Sequence, residues 1–352
     1  MPEVSLCNTY YMPKLELSEG LSLVIPAYNE GDELTVTLNS AIKAFEQAPI
    51  PFEILVVEDG SKNLHPEFQL LKNVRYIEKN HSGRIETIFH GINLAKNQNV
   101  LVIGARVRLR ASAIQQLIQL NENYPTARFW NGMIYILNTE LPHVSIWETL
   151  VRVGWSKGLQ SETAISFGVQ DFDLYPKGSG LFLASKQDWI NGFSELREYA
   201  ANSKINVSDD TRLLRGFAEI SNIWFSKDFA ADYKPRTSFK LFLKNAQYRG
   251  NTFVDSYWES STIFGKLVRY LTPFTLAIAL ATLSLAGLTG LLYSIGTALI
   301  LSKIVFFLYS FKTWKKPTRA AKEAFVLVPL ILFFGFGFVR AYVLGFQSRR
   351  NS

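Results

Sequence analysis

Three short clusters in this chain combine residue types that could do chemistry. Asn29 and Glu30 follow the apolar run Leu21-Ser22-Leu23-Val24-Ile25-Pro26-Ala27-Tyr28, and Asp59 with Gly60 and Ser61 ends the run that begins at Phe52. Carboxylates at two neighbouring strand ends can grip the polar groups of a small molecule, because an ionised carboxylate only accepts hydrogen bonds. Arg106, Arg108 and Arg110 share one face if their segment is extended. The third cluster is Val207-Ser208-Asp209-Asp210-Thr211, where Ser and Asp also suit a helix N-cap. A plainer reading makes Asn29, Asp59 and Gly60 turn formers. For Gly60 we favour that reading, and for Asp59 the functional one.

These side chains need elements to hold them. Continuous apolar runs that stop in acidic turn residues suit strands buried on both faces of a parallel sheet. After the first run, Leu34, Leu38, Ala41, Ile42 and Phe45 recur at helical spacing. A short strand follows at Val74 to Ile77, then a helix through Ile85, Ile88, Phe89, Ile92 and Ala95 with Ser82 as its N-cap. Val100 to Ile103 reads as a third buried strand, followed by a helix through Ala113, Ile114, Leu117 and Ile118. Alternating β and α elements predict a doubly wound, mostly parallel α/β sheet, whose ligands bind beyond the carboxyl ends of the strands.

Composition divides the chain. The mean hydropathy of +0.07 averages a mixed, globular part over residues 1–262 with an apolar part over 263–352. Leu271 to Phe311 is long enough for two spanning helices with a turn near Gly287 to Gly290, and Ala324 to Phe346 for a third, since a span needs roughly 20 residues. The basic stretch Lys312 to Arg319 predicts a cytoplasmic loop, and three spans then put the N-terminal domain on the cytoplasmic side of the cell (inner) membrane. Residues 1–20 contain no apolar signal core. Arg349 and Arg350, on the far side, weigh mildly against this orientation. The net charge of +7 suits anionic lipid headgroups and phosphates. Its dispersal, with no recognition module, does not suggest nucleic acid. Cys7 is the single cysteine, so no disulfide framework or cysteine metal site is expected.

Val24-Ile25-Pro26-Ala27-Tyr28-Asn29-Glu30 followed by Val56-Val57-Glu58-Asp59-Gly60-Ser61 resembles the nucleotide-sugar half of the family 2 glycosyltransferases of GT-A fold. That resemblance implies a nucleoside pocket lined by Pro26, Tyr28 and Glu30, with Asp59 on the base. His81-Ser82-Gly83-Arg84 resembles the family's Asn-x-Gly-Lys element, which puts Arg84 at the donor diphosphate. Gly178-Ser179-Gly180 resembles the stretch beside donor sugar and acceptor, with Gly180 close to a sugar. Asp209-Asp210 resembles the family's acidic pair, making Asp210 the expected general base while Ser208 or Asp209 caps the helix. Gln247-Tyr248-Arg249-Gly250 is a partial match to Gln-x-x-Arg-Trp, which would give Gln247 and Arg249 a diphosphate contact. A basic interfacial helix near 237–250 explains the same segment.

One departure stands out. Where the family carries Asp-x-Asp to hold a divalent ion, this chain has Gly104-Ala105-Arg106. Hard cations such as Mg²⁺ or Mn²⁺ need oxygen ligands, and these side chains supply none. No cofactor is therefore expected, and Arg106 would steady the diphosphate directly beside Gly104 and Ala105. The resemblance thus implies a membrane-anchored inverting glycosyltransferase using a UDP- or GDP-sugar, with a lipid-linked or glycan acceptor and membrane lipids as partners. A catalytically inactive relative that binds nucleotide-sugar or scaffolds an assembly stays open beside it.

Overall fold

The computed structural model describes residues 15–203, 207–208, 210–258, 260 and 263–350. The chain opens with β1 (Leu21–Ala27), α1 (Asp32–Glu46), β2 (Phe52–Asp59), β3 (Val74–Lys79), α2 (Arg84–Leu94) and β4 (Asn99–Ile103). It continues through β5 (Val107–Leu109), α3 (Ala113–Asn123), β6 (Phe129–Ile136), α4 (Pro142–Gly154), α5 (Ser156–Gln160) and β7 (Ile165–Phe167). β8 (Leu181–Ser185), α6 (Lys186–Asn202), α7 (Thr211–Ile220) and β9 (Ile223–Tyr233) complete the sheet. Then come α8 (Phe239–Tyr257), α9 (Ile263–Lys266), α10 (Thr272–Trp314) and α11 (Pro317–Arg350), with a π-helical turn at Leu267–Leu271 before α10.

The strands form one sheet in the order β3-β2-β1-β4-β8-β6-β9-β5, with β7 on β9. From β3 to β4 every pairing is parallel, as the apolar runs predict. Beyond β4 the sheet is mixed: β8 runs antiparallel to β4 and β6, β9 lies parallel to β6, and β5 and β7 run antiparallel to β9. Both faces are covered, which is why β1, β2 and β4 show no alternation, whereas β3 at the edge alternates buried and half-buried residues. Leu23, Ile25, Ile54, Val56, Leu101 and Ile103 pack against α1 and α3, while Val24, Leu55, Val57, Val100 and Val102 pack against α2, α6 and α7. Each fully buried Leu, Ile, Val or Phe contributes about 1.5–3 kcal/mol.

The expected N-cap at Ser82 is corrected. Gly83 holds the cap position of α2, and the Ser82 N–H instead donates to Asp59. The carboxylate at the end of β2 fixes the approach to α2 by accepting from two consecutive N–H groups, those of Ser82 and Gly83, while Ser82 Oγ is taken up by Lys79.

α8 is longer than the interfacial segment expected and lies along α11. Phe242, Ala246, Gly250 and Val254 form its buried stripe, spaced one turn apart. At the crossing the backbones touch: a Cβ on Gly250 would come 2.0 Å from the Phe334 carbonyl oxygen, and one on Gly337 2.0 Å from that of Gln247. Small residues permit such an approach between helices.

Among the described residues, two helices are long and apolar enough to cross a membrane, spanning Phe264–Trp314 and Pro317–Gly345. The first breaks at Gly287 (φ +65°), where the sequence predicts a turn. The basic loop between α10 and α11 docks on α4. Trp314 Nε1 donates to Thr149 Oγ1 at 2.8 Å, Arg319 lies 3.7 Å over the Trp314 ring, and it reaches Glu148 at 3.0 Å. The buried Glu323 carboxylate accepts from Thr149, Ser310 and Arg319, tying α4, α10 and α11 together.

Candidate active site

Beyond the carboxyl ends of β1 and β2, two turns are clamped to each other. Asn29 (φ +53°) donates its N–H to Ser61 Oγ at 2.7 Å, and its side-chain oxygen accepts from the Lys62 N–H at 3.0 Å. Pro26 is buried within β1 opposite Val57. Tyr28 is 43% exposed and stacks on His81, with ring centroids 4.4 Å apart, making an open aromatic platform beside Asp59.

Asp59 is buried and richly bonded. Oδ1 accepts from Lys79 Nζ at 2.7 Å and the Ser82 N–H at 2.9 Å, and Oδ2 accepts from the Gly83 N–H at 2.9 Å with His81 Nδ1 also at 2.9 Å. Burial pushes this carboxyl up, but Lys79 and the two backbone N–H groups outweigh it and hold it at about 2. Gly60 has φ +73°, and a Cβ there would lie 2.8 Å from the His81 nitrogen, so its role is backbone geometry. Asp59 therefore organises the 79–83 segment that carries Arg84, whatever else it contacts.

Arg84, Gly180 and Asp210 are brought together from distant parts of the chain. Both terminal nitrogens of Arg84 donate to Ser179 Oγ at 3.1 Å, and Nη1 lies 3.9 Å from Asp210 Oδ1. The Ser179 N–H donates to Asp210 Oδ1 at 2.9 Å, and its hydroxyl donates to the same oxygen. Burial raises the Asp210 carboxyl, yet Arg84 and the Ser179 hydrogen bonds outweigh it and hold it below the usual carboxylate range. Part of the side chain reaches the surface, at about half exposure, while the carboxyl itself lies among the groups that desolvate it. Asp210 holds the N-cap position of α7 but its side chain makes no cap bond; Ser208 Oγ accepts from the Thr211 N–H at 3.1 Å instead, which leaves the Asp210 carboxylate for other work. Asp209 lies outside the described residues.

The Gly104-Ala105-Arg106 turn sits beside this cluster. The Gly104 N–H donates to the Gly180 carbonyl at 3.2 Å, and the Ala105 carbonyl accepts from Thr37 Oγ1 at 2.9 Å. Arg106 Nε donates to Glu30 Oε2 at 2.8 Å, and its Nη1 to the Lys234 carbonyl at 3.2 Å. Arg108 pairs with Glu33 and Arg110 with Asp232, so each arginine of the shared face has a carboxylate partner. The residues at this turn do not fit a divalent ion. They offer guanidinium and main-chain groups, and no group of three His, Cys, Asp or Glu suited to a metal forms among the described residues.

Gln247 and Arg249 part company, since residues two apart lie on opposite sides of a helix. The Gln247 carbonyl faces Gly337 of α11, whereas Arg249 sits 4.4 Å over the Trp147 ring and close enough to lower the Asp210 carboxyl. Sequence reasoning assigned no role to Ser179, Lys79, His81 or Arg236. Their one signal is position: three flank motif residues, while Arg236 Nη2 reaches Glu30 Oε1 at 2.8 Å from 206 residues away.

Residues 22–175, somewhat under half of the chain, match the family described as Glycosyl transferase family 2. The chain is 28% identical over 120 residues to an undecaprenyl-phosphate 4-deoxy-4-formamido-L-arabinose transferase of Proteus mirabilis, covering 32% of this chain and 36% of that protein. It is likewise 28% identical over 116 residues to a chondroitin synthase of Escherichia coli, covering 31% and 17% respectively. The match thus spans about a third or less of these curated relatives. Among solved structures, S. aureus TarS residues 1–349 with UDP-GlcNAc aligns at a TM-score of 0.46 and 13% identity, over 90% of this chain and 92% of that one.

Proposed function

We propose that this chain transfers a sugar, with inversion, from a UDP- or GDP-sugar to a lipid-linked or membrane-proximal glycan acceptor, without a divalent ion. The observation that carries this is the convergence of Arg84, Ser179 and Asp210 beside the Gly104–Gly180 contact, at the carboxyl end of β4. A cation and a carboxylate gathered on one small residue suit a single displacement. Asp210 takes the acceptor proton as the hydroxyl attacks the sugar, and Arg84 and Arg106 stabilise the departing diphosphate. Were the acceptor a phosphate, it would arrive ionised, and Asp210 would position it. Tyr28 and Asp59 form the nucleoside side, with the Tyr28–His81 stack as a surface for the base.

An acceptor at a membrane is supported by the apolar helices and by the Proteus mirabilis relative, whose name specifies undecaprenyl phosphate. The helix Phe264–Trp314 is far too long for one span of a ~30 Å core. Its flanks on either side of Gly287 are each longer than the roughly 20 residues required, so three spans fit, with Gly287 at the bend. The contact of the basic 312–319 loop with α4 supports loop and α/β domain lying on one side, and the loop's positive charge favours the cytoplasmic one. The test is transfer by the full chain in lipid vesicles holding polyprenyl phosphate, assayed with UDP- and GDP-sugars. Sugar appearing in the lipid fraction supports the proposal. Nucleotide binding without transfer to any lipid or glycan acceptor favours an inactive binding protein.

A further inference from the structure

Glu30 holds two arginines at once. Oε2 accepts from Arg106 Nε and Oε1 from Arg236 Nη2, both at 2.8 Å, so the two guanidinium groups flank a single carboxylate. Arg106 follows β4 and Arg236 follows β9, and the two segments are tied by the Lys234 N–H donating to the Arg106 carbonyl at 2.9 Å. Glu30 is the carboxylate that both guanidinium groups touch, with the Glu58 carboxyl near enough to interact with it. The Glu30 side chain is 13% exposed and that of Arg236 48%, so the carboxylate lies deeper and one cation faces outward. A carboxylate and a phosphate present the same forked acceptor geometry to guanidinium.

We propose that Glu30 is a built-in stand-in for the donor diphosphate, and that Arg236 is a second diphosphate-binding residue beside Arg106. This rests on the donor-site reading above and adds to it how the phosphates are gripped. Before binding, Glu30 keeps both guanidinium groups paired and aimed at a common point. A nucleoside diphosphate, with more charge than one carboxylate, takes them over. Affinity is then set by an exchange, so Glu30 lowers it while keeping the arginines ordered. The contrary role for Glu30, accepting from ribose hydroxyls, predicts the opposite sign.

The experiment is equilibrium binding of UDP and GDP, beside uridine and guanosine, to the full chain in detergent. Glu30→Gln removes the competing charge and should tighten the preferred diphosphate about tenfold, leaving its nucleoside unchanged. Arg236→Gln, at a half-exposed side chain that folding tolerates, should weaken the diphosphate about tenfold and again spare the nucleoside. Glu30→Gln weakening diphosphate and nucleoside alike would overturn the exchange, as would Arg236→Gln leaving diphosphate binding intact. Wild-type protein that binds none of the four ligands would remove the donor-site reading itself, and the exchange with it.

Discussion

Asp210 is held by Ser179. The Ser179 backbone N–H donates to its Oδ1 at 2.9 Å and the hydroxyl donates to the same atom, so the carboxylate at the start of α7 turns towards β8 and away from its own helix. The capping work falls to Ser208, whose Oγ accepts from the Thr211 N–H. This division of labour frees an ionised carboxylate next to Arg84.

Asp210→Asn should lower kcat about 10²–10⁴-fold with the thermal midpoint unchanged, as loss of a general base does. Ser179→Ala keeps the backbone N–H and removes the hydroxyl. The Asp210 carboxyl, now held down less, should titrate at higher pH. Since the deprotonated form is active, the acidic limb of the kcat/KM profile moves up in pH. An unmoved limb would mean that Asp210 does not act as a base.

Asp59 makes stability depend on pH in the acid range. Its folded carboxyl sits at about 2 against an ordinary 3.8, so the stabilisation is fully present above the ordinary value and is lost as pH falls towards 2. The contribution amounts to at most about 2 kcal/mol. Thermal midpoints from pH 5 down to 2 should fall less steeply in Asp59→Asn than in wild type. Equal slopes would show that its bonds to Lys79, Ser82 and Gly83 do not persist in solution.

The α8–α11 crossing leaves no room for a side chain at Gly250. Gly250→Ala should cost about 1–3 kcal/mol through overpacking against the Phe334 carbonyl. Gly335, which faces open space, provides the control, and Gly335→Ala should leave the thermal midpoint in detergent unchanged. Equal midpoints for the two variants would place the helices farther apart than described.

Glu323 couples the transferase domain to the apolar helices through Thr149, Ser310 and Arg319. Glu323→Ala takes the acceptor from the buried Thr149 and Ser310 hydroxyls, leaves Arg319 with Glu148 as its carboxylate, and should destabilise by about 1–3 kcal/mol. Limited proteolysis near the 312–319 loop should accelerate accordingly, and an unchanged cleavage rate would contradict the coupling.

Much of the parallel half of the sheet was legible in the sequence, because β1, β2 and β4 are buried on both faces and read as unbroken apolar runs. Arg84, Gly180 and Asp210 were legible as motif residues, and the structure brings them together. What joins them was not. Ser179 looked like one small residue among several, and the Arg236–Glu30 pair is local only in space. Helical periodicity carries no information about such distant ion pairs. The Ser82 cap failed for a related reason: a carboxylate from another strand bonds the Ser82 and Gly83 N–H groups, and α2 begins one residue later, with Gly83 at the cap position. The mixed half of the sheet was also hidden, since β5 and β7 are three residues each and too short to show a period.

The central claim is that Arg106 does the electrostatic work usually given to a divalent ion. The direct measurement is the initial rate of sugar transfer to polyprenyl phosphate by wild type and Arg106→Ala, each with and without EDTA. Wild-type turnover that persists in EDTA, with Arg106→Ala reduced at least a hundredfold in both conditions, is the predicted result. Wild-type turnover abolished by EDTA and restored by Mg²⁺ or Mn²⁺ would contradict it.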